Sequence, residues 1–231
     1  MGRAFGQVAT SATTEVAINA TTYAEQTSNA GRALVSGSAN DAAAGTGART
    51  VKVTYYALSA TGVITGPFSE TVTLNGTNAV ATVGTNICLI EKIEVLTVGS
   101  GGKSAGIISL TVAADGSGGT IASIAAGAQR TYLGHHYVPS GRRCDITDWI
   151  ACGGDTAAGL FTLRALAYPS ANVQETIITR QAAVIGGNAN QVILGPQNGE
   201  RYISGPARIQ AYVAPTATAQ TSYVEFGHQD L

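Results

Sequence analysis

The sequence predicts an all-β protein built as an antiparallel β-sandwich of the jelly-roll or immunoglobulin-like type. Short segments rich in Val, Ile, Thr and Tyr recur along the chain, and glycine, proline or asparagine bounds most of them. No segment carries an apolar stripe of helical period longer than about two turns. The segments follow one another at intervals of about a dozen residues, as in sandwiches and barrels, and of these two we prefer the sandwich.

Residues 1–49 predict an extended N-terminal arm of low complexity. They are rich in Ala, Thr, Ser, Gly and Asn, and cannot bury enough apolar surface to offset their ordering entropy alone. Such a segment is either disordered or an extended arm that becomes ordered against another subunit. The apolar residues scattered along it favour the extended arm. We expect its removal to leave the rest folded. The anchors chosen as partner contacts are Phe5, Val8, Ile18 and Tyr23.

Residues 50–168 predict the sandwich body, and residues 169–231 a C-terminal β extension that packs on the body or on neighbouring subunits. The segment TVKVTYYAL alternates in side-chain type, and Asn75-Gly76 between two alternating runs predicts a hairpin. The stretch VGSGGKSAG, between two apolar runs, superficially resembles a phosphate-binding loop. Its first required glycine would fall on Thr97, and a β-branched run follows it in place of a helix, so it is predicted to be a hairpin loop.

The composition limits the classes of partner. A net charge of −1 with 12% charged residues provides no basic field for nucleic acid and no polybasic patch for a membrane. The hydrophobic content of 45% reflects either many small residues or a surface covered by other molecules. We favour the second explanation, and therefore expect copies of the chain or partner proteins to cover part of the surface.

Three cysteines are too few for a disulfide framework and fit a reducing cytoplasm. The first twenty residues hold no apolar core of signal-peptide length, and no stretch approaches the roughly 20 apolar residues of a membrane span. We therefore expect no secretion signal and no membrane segment.

The densest set of possible metal ligands comprises His135, His136, Cys144, Asp145, Asp148 and Cys152. Its spacing does not match the paired cysteines of structural zinc sites, and adjacent histidines of a strand point to opposite faces. One buried and one exposed histidine are therefore expected, with no metal and no cofactor. No nucleophile elbow is present, and His228 lies near the end of the sequence, so we predict no catalytic residues and no enzymatic activity.

Four further residues are predicted to contact partners. Trp149 is the only tryptophan and is expected to be a core or interface anchor, and Tyr137 is a second large aromatic residue nearby. Arg142 and Arg143 follow the turn YVPSG, where they are either solvated charges or contacts to a neighbouring acidic surface.

Two segments together resemble structural proteins of tailed bacteriophage particles. They are IEVLTVGSGGKSAGIISLTV and, some way downstream, YVPSGRRCDITDWIA, which combine a glycine-rich loop, a strand, and a Val-Pro-x-Gly turn leading to another strand. The resemblance covers roughly residues 50–168. It implies a virion component, synthesised in the bacterial cytoplasm and used in many copies, with a β-sandwich body and extended termini. It brings no catalytic residues.

Within that class, the sequence favours a capsid decoration or cement protein on the capsid surface. Such a protein binds the major capsid protein or other virion proteins, and forms a symmetric homo-oligomer such as a trimer. A tail, neck or fibre-base protein is the structural alternative. A module that binds host glycans, and an enzyme such as a glycan depolymerase, are the alternatives of other classes.

Overall fold

The computed structural model describes residues 2–10, 15–19, 23–152, 159–168, 179–184, 191–194, 202–215 and 220–231. Its secondary structure is antiparallel β throughout the described residues, which confirms the all-β prediction. The same residues include no helix with the length and apolarity needed to cross a bilayer.

Seventeen strands form in the described part of the chain. In chain order they are β1 (Gly2–Thr10), β2 (Val16–Ala17), β3 (Ala33–Ser36), β4 (Ala48–Leu58), β5 (Ile64–Thr73), β6 (Val80–Ala81), β7 (Leu89–Val98), β8 (Ile108–Thr111), β9 (Thr120–Ile124), β10 (His135–Val138), β11 (Arg143–Cys152), β12 (Gly159–Ala167), β13 (Thr179–Val184), β14 (Gln191–Leu194), β15 (Tyr202–Ser204), β16 (Ala207–Pro215) and β17 (Gln220–Asp230).

The strands divide into two compact units. The terminal unit comprises residues 1–20 and 133–231, and the inserted unit comprises residues 21–132. The first strand of the chain therefore belongs to the same unit as the last strand, with a complete second unit between them in sequence.

The terminal unit consists of two five-stranded sheets. One has the order β1-β17-β11-β14, with β15 also paired to β11, and the other has the order β10-β16-β12-β13, with β2 also paired to β16. Alternate residues of both sheets point into a shared apolar core, as a sandwich requires. The largest members of that core are Trp149, Phe161 and Phe226.

The inserted unit consists of a four-stranded sheet with the order β6-β3-β8-β9 and a three-stranded sheet with the order β5-β4-β7. Its core again draws on both sheets, for example through Val53 and Ile93 on one side and Leu34 and Leu110 on the other. Alternation in TVKVTYYAL places Val51, Val53 and Tyr55 in this core, as the sequence predicted.

The observed units replace the predicted division at residues 49 and 168. Residues 2–10 are not an arm that reaches another subunit, because β1 pairs with β17 of its own chain over nine residues, from Gly2↔His228 to Thr10↔Gln220. Residues 33–36 form β3, which pairs with β6 and β8 inside the inserted unit. Small residues fit β1 because it lies at a sheet edge and because two backbones approach closely at Gly6.

Two predicted hairpins are turns of a different kind. The Asn75-Gly76 turn forms, with Asn75 bridged to Asn78 and Gly76 at φ +61°, but β5 pairs with β4 whereas β6 pairs with β3. The glycine-rich loop likewise joins β7 to β8, which pair with β4 and β3 in separate sheets. Each turn therefore carries the chain from one sheet to the other, and the hairpin prediction is wrong at both positions.

Gly6 provides a test of how closely β1 packs in the terminal unit. A Cβ atom at this position would lie 2.5 Å from the Ile18 carbonyl oxygen and 2.6 Å from the Gly134 Cα atom, and neither backbone atom can rotate away. We expect Gly6→Ala to destabilise the terminal unit by about 1–3 kcal/mol. Thiol labelling of buried Cys144 should accelerate, whereas the control Gly31→Ala, whose Cβ has its nearest neighbour at 3.6 Å, should leave it unchanged. Equal labelling rates in the two variants would contradict this packing.

Candidate functional site

Four potential ligand side chains converge in the terminal unit: His136, Cys144, His228 and Asp230, here called the HCHD cluster. Their ligand atoms all lie within 4.8 Å of one another. They come from three strands, with His136 on β10, Cys144 on β11, and the remaining two on β17.

Strand periodicity and register explain this convergence. His228 and Asp230 are two residues apart on β17 and therefore share a face. In the β11–β17 register Cys144 lies opposite Asp230, and Ile146 lies opposite His228. Paired residues point to the same side of a sheet, and Ile146 is in the core, so this side faces inward, where β10 of the second sheet supplies His136.

The imidazole rings of the cluster are stacked. The ring centroids of His136 and His228 are 3.6 Å apart, with an interplanar angle of 25°. His136 Nε2 lies 3.0 Å from Asp230 Oδ1, within hydrogen-bonding distance. A third ring, that of the core residue Phe226, has its centroid 6.4 Å from that of His228.

Burial and hydrogen bonding shift the ionisation of the cluster. Burial raises the pKa of the Cys144 thiol above its ordinary value, although His136 acts in the opposite direction. Burial also acts to raise the pKa of Asp230, but the hydrogen bond and positive charge of His136, with the charge of His228, outweigh it, so this pKa is lowered. The carboxylate therefore favours its charged form while the thiol favours its neutral form.

The geometry of the HCHD cluster distinguishes between two chemical roles, a cysteine nucleophile and a metal site. A cysteine nucleophile needs a thiol that substrate can reach and a lowered pKa, whereas Cys144 is fully buried and its pKa is raised. A metal site needs several donors of mixed type converging on one point, which is the arrangement present. The cluster therefore suits ligand binding better than covalent catalysis.

The predicted ligand set overlaps the cluster only at His136 and Cys144. Asp148 instead lies 2.7 Å from the guanidinium of Arg3, which also pairs with Glu225, so this ion pair spans β1, β17 and β11. Asp145 follows Cys144 on its strand and points to the other face, and the side chain of Cys152 is outside the described residues. His135 is buried like His136, because both faces of β10 are covered, so the expectation of one exposed histidine is wrong.

Sequence reasoning missed His228 and Asp230 because they lie far from the other ligands in the chain. The available signal was their spacing of two residues within TSYVEFGHQD, which places both on one face of a strand. Nothing in the local pattern indicates that this strand lies beside Cys144. The pairing of β11 with β17 joins residues that are far apart in sequence, as Cys144 and Asp230 are.

The structure separates the predicted partner-binding residues by exposure. Ile18, Tyr137 and Trp149 are fully buried and offer no surface to a partner, which corrects their assignment as partner contacts. Trp149 is the core anchor that the sequence offered as an alternative. Val8 is partly buried and packs against the core of the terminal unit, and the half-buried Tyr23 packs against that of the inserted unit.

The other three keep accessible surface. Phe5 on β1 is half-buried, and Arg142 and Arg143 are exposed. Arg143 also exchanges backbone hydrogen bonds with Leu231, at 3.2 and 2.7 Å, so the last described residue continues the β11–β17 ladder. A role for these three residues in partner binding stays a prediction.

The glycine-rich loop binds an anion of its own chain. The Ala105 and Gly106 amides donate to the buried Asp41 carboxylate, each at 2.9 Å, and Ala48 N and Ser36 Oγ donate to it at 2.7 and 2.6 Å. The neighbouring amides of the loop are also used internally, since those of Gly99, Gly101 and Gly102 donate to backbone carbonyls. The carboxylate of Asp41 thus occupies the place that a phosphate would take in a phosphate-binding loop.

Asp41 makes the inserted unit sensitive to acid. Burial acts to raise the pKa of Asp41, but the four hydrogen bonds outweigh it and the pKa lies below its ordinary value. A lowered folded-state pKa stabilises the unit above the unfolded-state pKa of about 3.9, and this stabilisation is lost as the pH falls through the folded-state pKa. We expect protection of the Leu110 amide from hydrogen exchange to fall in that range, and to depend less on pH in Asp41→Asn. Parallel pH profiles for the two proteins would contradict this role.

A second charged group is buried in the inserted unit. The Arg32 guanidinium donates to three backbone carbonyls, those of Ile87, Val112 and Ser28, at 2.6 to 3.1 Å. Burial lowers its pKa, and the hydrogen bonds account for its tolerance in the interior. Arg32 therefore fixes three loop segments and serves the fold.

The chain matches no protein-family model, and no curated protein matches it.

Proposed function

We propose that the protein is a non-enzymatic structural component of a tailed-phage virion, namely a capsid decoration or cement protein that binds the major capsid lattice. The sequence resemblance supports the class, and the low charge of the chain supports a surface covered by other molecules. The observation that carries the proposal is a pair of exposed apolar residues on the inserted unit, Val83 and Phe68, both of which lie next to Glu70.

Val83 protrudes from a fixed segment. The residue is 93% exposed, yet its amide and that of Gly84 donate to the two carboxylate oxygens of Glu70, at 3.2 and 2.7 Å. On the other side, Thr82 N donates to the Arg32 carbonyl at 2.8 Å. A side chain presented from an ordered backbone loses little further entropy on binding, which favours its use in an interface.

Phe68 lies two residues before Glu70 on β5, so both side chains share one face of the strand. The Phe68 ring is 40% exposed and lies 5.8 Å from the Tyr55 ring, which is in the core. The exposed pair thus extends from the packed interior of the unit. An aromatic ring backed by a core, as the Phe68 ring is, can become fully desolvated when a partner covers it, as interface hot spots require.

Binding of the purified protein to phage particles tests the proposal. We expect it to cosediment with shells or virions of its phage, and we expect Val83→Asp to weaken this binding by about tenfold or more. Val63→Asp is the matched control, because Val63 is another exposed valine of the inserted unit and lies on the turn before β5.

The alternatives give different results in the same experiment. Cosedimentation with tails in place of shells would favour a tail, neck or fibre-base protein, and binding to host envelopes alone would favour a glycan-binding module. Failure to bind any particle, with the protein monomeric at high concentration, would overturn the proposal.

A further inference from the structure

We propose that the HCHD cluster is a structural zinc site that joins the two sheets of the terminal unit. This inference is independent of the proposed function, because it depends on four side chains that lie together in one unit. The sequence alone predicted no metal, since it did not bring His228 and Asp230 to the same place.

The donor set determines the class of ion. One thiolate, two imidazoles and one carboxylate are the ligand types that Zn²⁺ accepts, and four protein ligands form the closed shell of a structural site. The cysteine and the histidines disfavour Ca²⁺ and Mg²⁺, which prefer oxygen ligands. The cluster therefore selects a borderline-soft transition ion such as Zn²⁺, which is almost always four-coordinate and tetrahedral in structural sites.

The spacing of the donors is close to that of a bound site. Ligand bonds of about 2.0–2.3 Å in a tetrahedron place the donor atoms about 3.3–3.8 Å apart. The four donors already lie within 4.8 Å of one another, and His136 Nε2 and Asp230 Oδ1 are 3.0 Å apart. Binding therefore requires a contraction of about 1 Å, together with splaying of the stacked imidazoles so that both lone pairs meet the ion.

Burial makes the site rigid while leaving a route for the ion. His136 and Cys144 are both buried. The strand that carries Cys144, β11, is paired on both sides, whereas the strand that carries His136, β10, lies at a sheet edge. Asp230 is the exposed member, with 36% of its side chain accessible. An ion can therefore enter past Asp230, and the carboxylate can close the shell behind it.

The position of the cluster gives the ion a structural consequence. It would link β10 of one sheet to β11 and β17 of the other, and β17 in turn holds β1. A ligand that binds only the folded state adds its binding free energy to folding. The ion would therefore stabilise the terminal unit and leave the inserted unit unaffected.

Zinc and cobalt binding to the full chain, without a histidine tag, tests the site. We expect about one equivalent of zinc per chain in competition with a chromophoric chelator. Co²⁺ in the same site should show the charge-transfer band of a cobalt–thiolate bond and the intense visible bands of tetrahedral cobalt. Cys144→Ser should abolish the thiolate band and weaken zinc binding by more than about 100-fold.

The chain contains close controls for each ligand. Cys88→Ser removes another buried cysteine, in the inserted unit, and Cys152→Ser removes the third. His135→Gln is the control for His136→Gln, because the two histidines are adjacent and both buried. The control variants should bind zinc as tightly as the parent protein, whereas Cys144→Ser and His136→Gln should bind it much more weakly.

A stability measurement covers the case in which a buried ligand variant does not fold. Trp149 is the only tryptophan and lies in the core of the terminal unit, so its fluorescence reports unfolding of that unit alone. Zinc at about one hundred times its Kd should raise the midpoint of this transition by about 5–10 °C. Asp230→Asn, at the most exposed ligand, should fold and should lose most of that increase.

Two results would overturn the proposal. One is the absence of zinc binding at micromolar concentration, with no shift of the Trp149 transition, which would leave the cluster as a hydrogen-bonded network. The other is zinc binding that persists unchanged in Cys144→Ser and Asp230→Asn, which would place the ion elsewhere.

Discussion

Replacing Asp41 by asparagine is expected to lower the free energy of unfolding of the inserted unit by about 3 kcal/mol. The Asp41 carboxylate accepts four hydrogen bonds, and the Asp41 backbone carbonyl accepts a fifth from Gly76. One residue therefore holds together β3, β4, the turn at Gly76 and the glycine-rich loop. An asparagine keeps one acceptor oxygen. Its amide group would face the Gly106 N–H, which would be left buried beside a second donor.

Thiol labelling followed by peptide mass spectrometry measures the destabilisation of the inserted unit separately from that of the terminal unit. Cys88 is buried in the inserted unit, and burial raises its pKa to about 11, so it reacts only when the unit opens. Labelling of Cys88 should accelerate in Asp41→Asn, while labelling of Cys144 in the terminal unit should not change. Asp115→Asn is the control, since Asp115 is an exposed turn residue. Equal rates in the two variants would show that Asp41 does not organise the loops.

Removal of residues 1–19 is expected to prevent the terminal unit from folding. The truncation deletes β1, which pairs along the length of β17, and β2, which pairs with β16. It also removes Ala4 and the fully buried Ile18 from the core. Truncating one such buried side chain costs about 2–5 kcal/mol, and the whole stability of a domain is about 5–15 kcal/mol.

Fluorescence of Trp149 and protection of Cys88 together test this prediction. The tryptophan emission should shift to that of an exposed indole, while Cys88 in the inserted unit should stay protected. Adding a peptide of residues 1–19 should restore the native emission, which serves as the positive control. A truncated protein with native emission would support the alternative, in which the N-terminal segment is an arm outside the fold.

The sequence predicted the strands after residue 49 well, missed β1, β2 and β3, and predicted strand pairing poorly, for a physical reason. Alternation in TVKVTYYAL and the left-handed glycine after Asn75 are local properties, and both appear in the structure. Pairing depends on residues far apart in the chain, as in β1 with β17. Two adjacent strands joined by a turn can then separate into different sheets, as β5 and β6 do.

The same limit applies to the candidate site. His136 and Cys144 are close in sequence and were recognised as potential ligands, whereas His228 and Asp230 reach them only through the β11–β17 ladder. The role of Asp41 was equally hidden, because its hydrogen bonds join residues up to 65 positions apart. Composition gives no signal for such contacts, since any of the fourteen acidic residues could have made them.

Quantitative mass spectrometry of purified virions tests the central claim most directly. A capsid decoration protein should be present at on the order of hundreds of copies per particle, in a fixed ratio to the major capsid protein. About six or twelve copies would identify a ring component of the tail or neck and correct the location. Absence from the particle, while the chain is abundant in infected cells, would contradict the account.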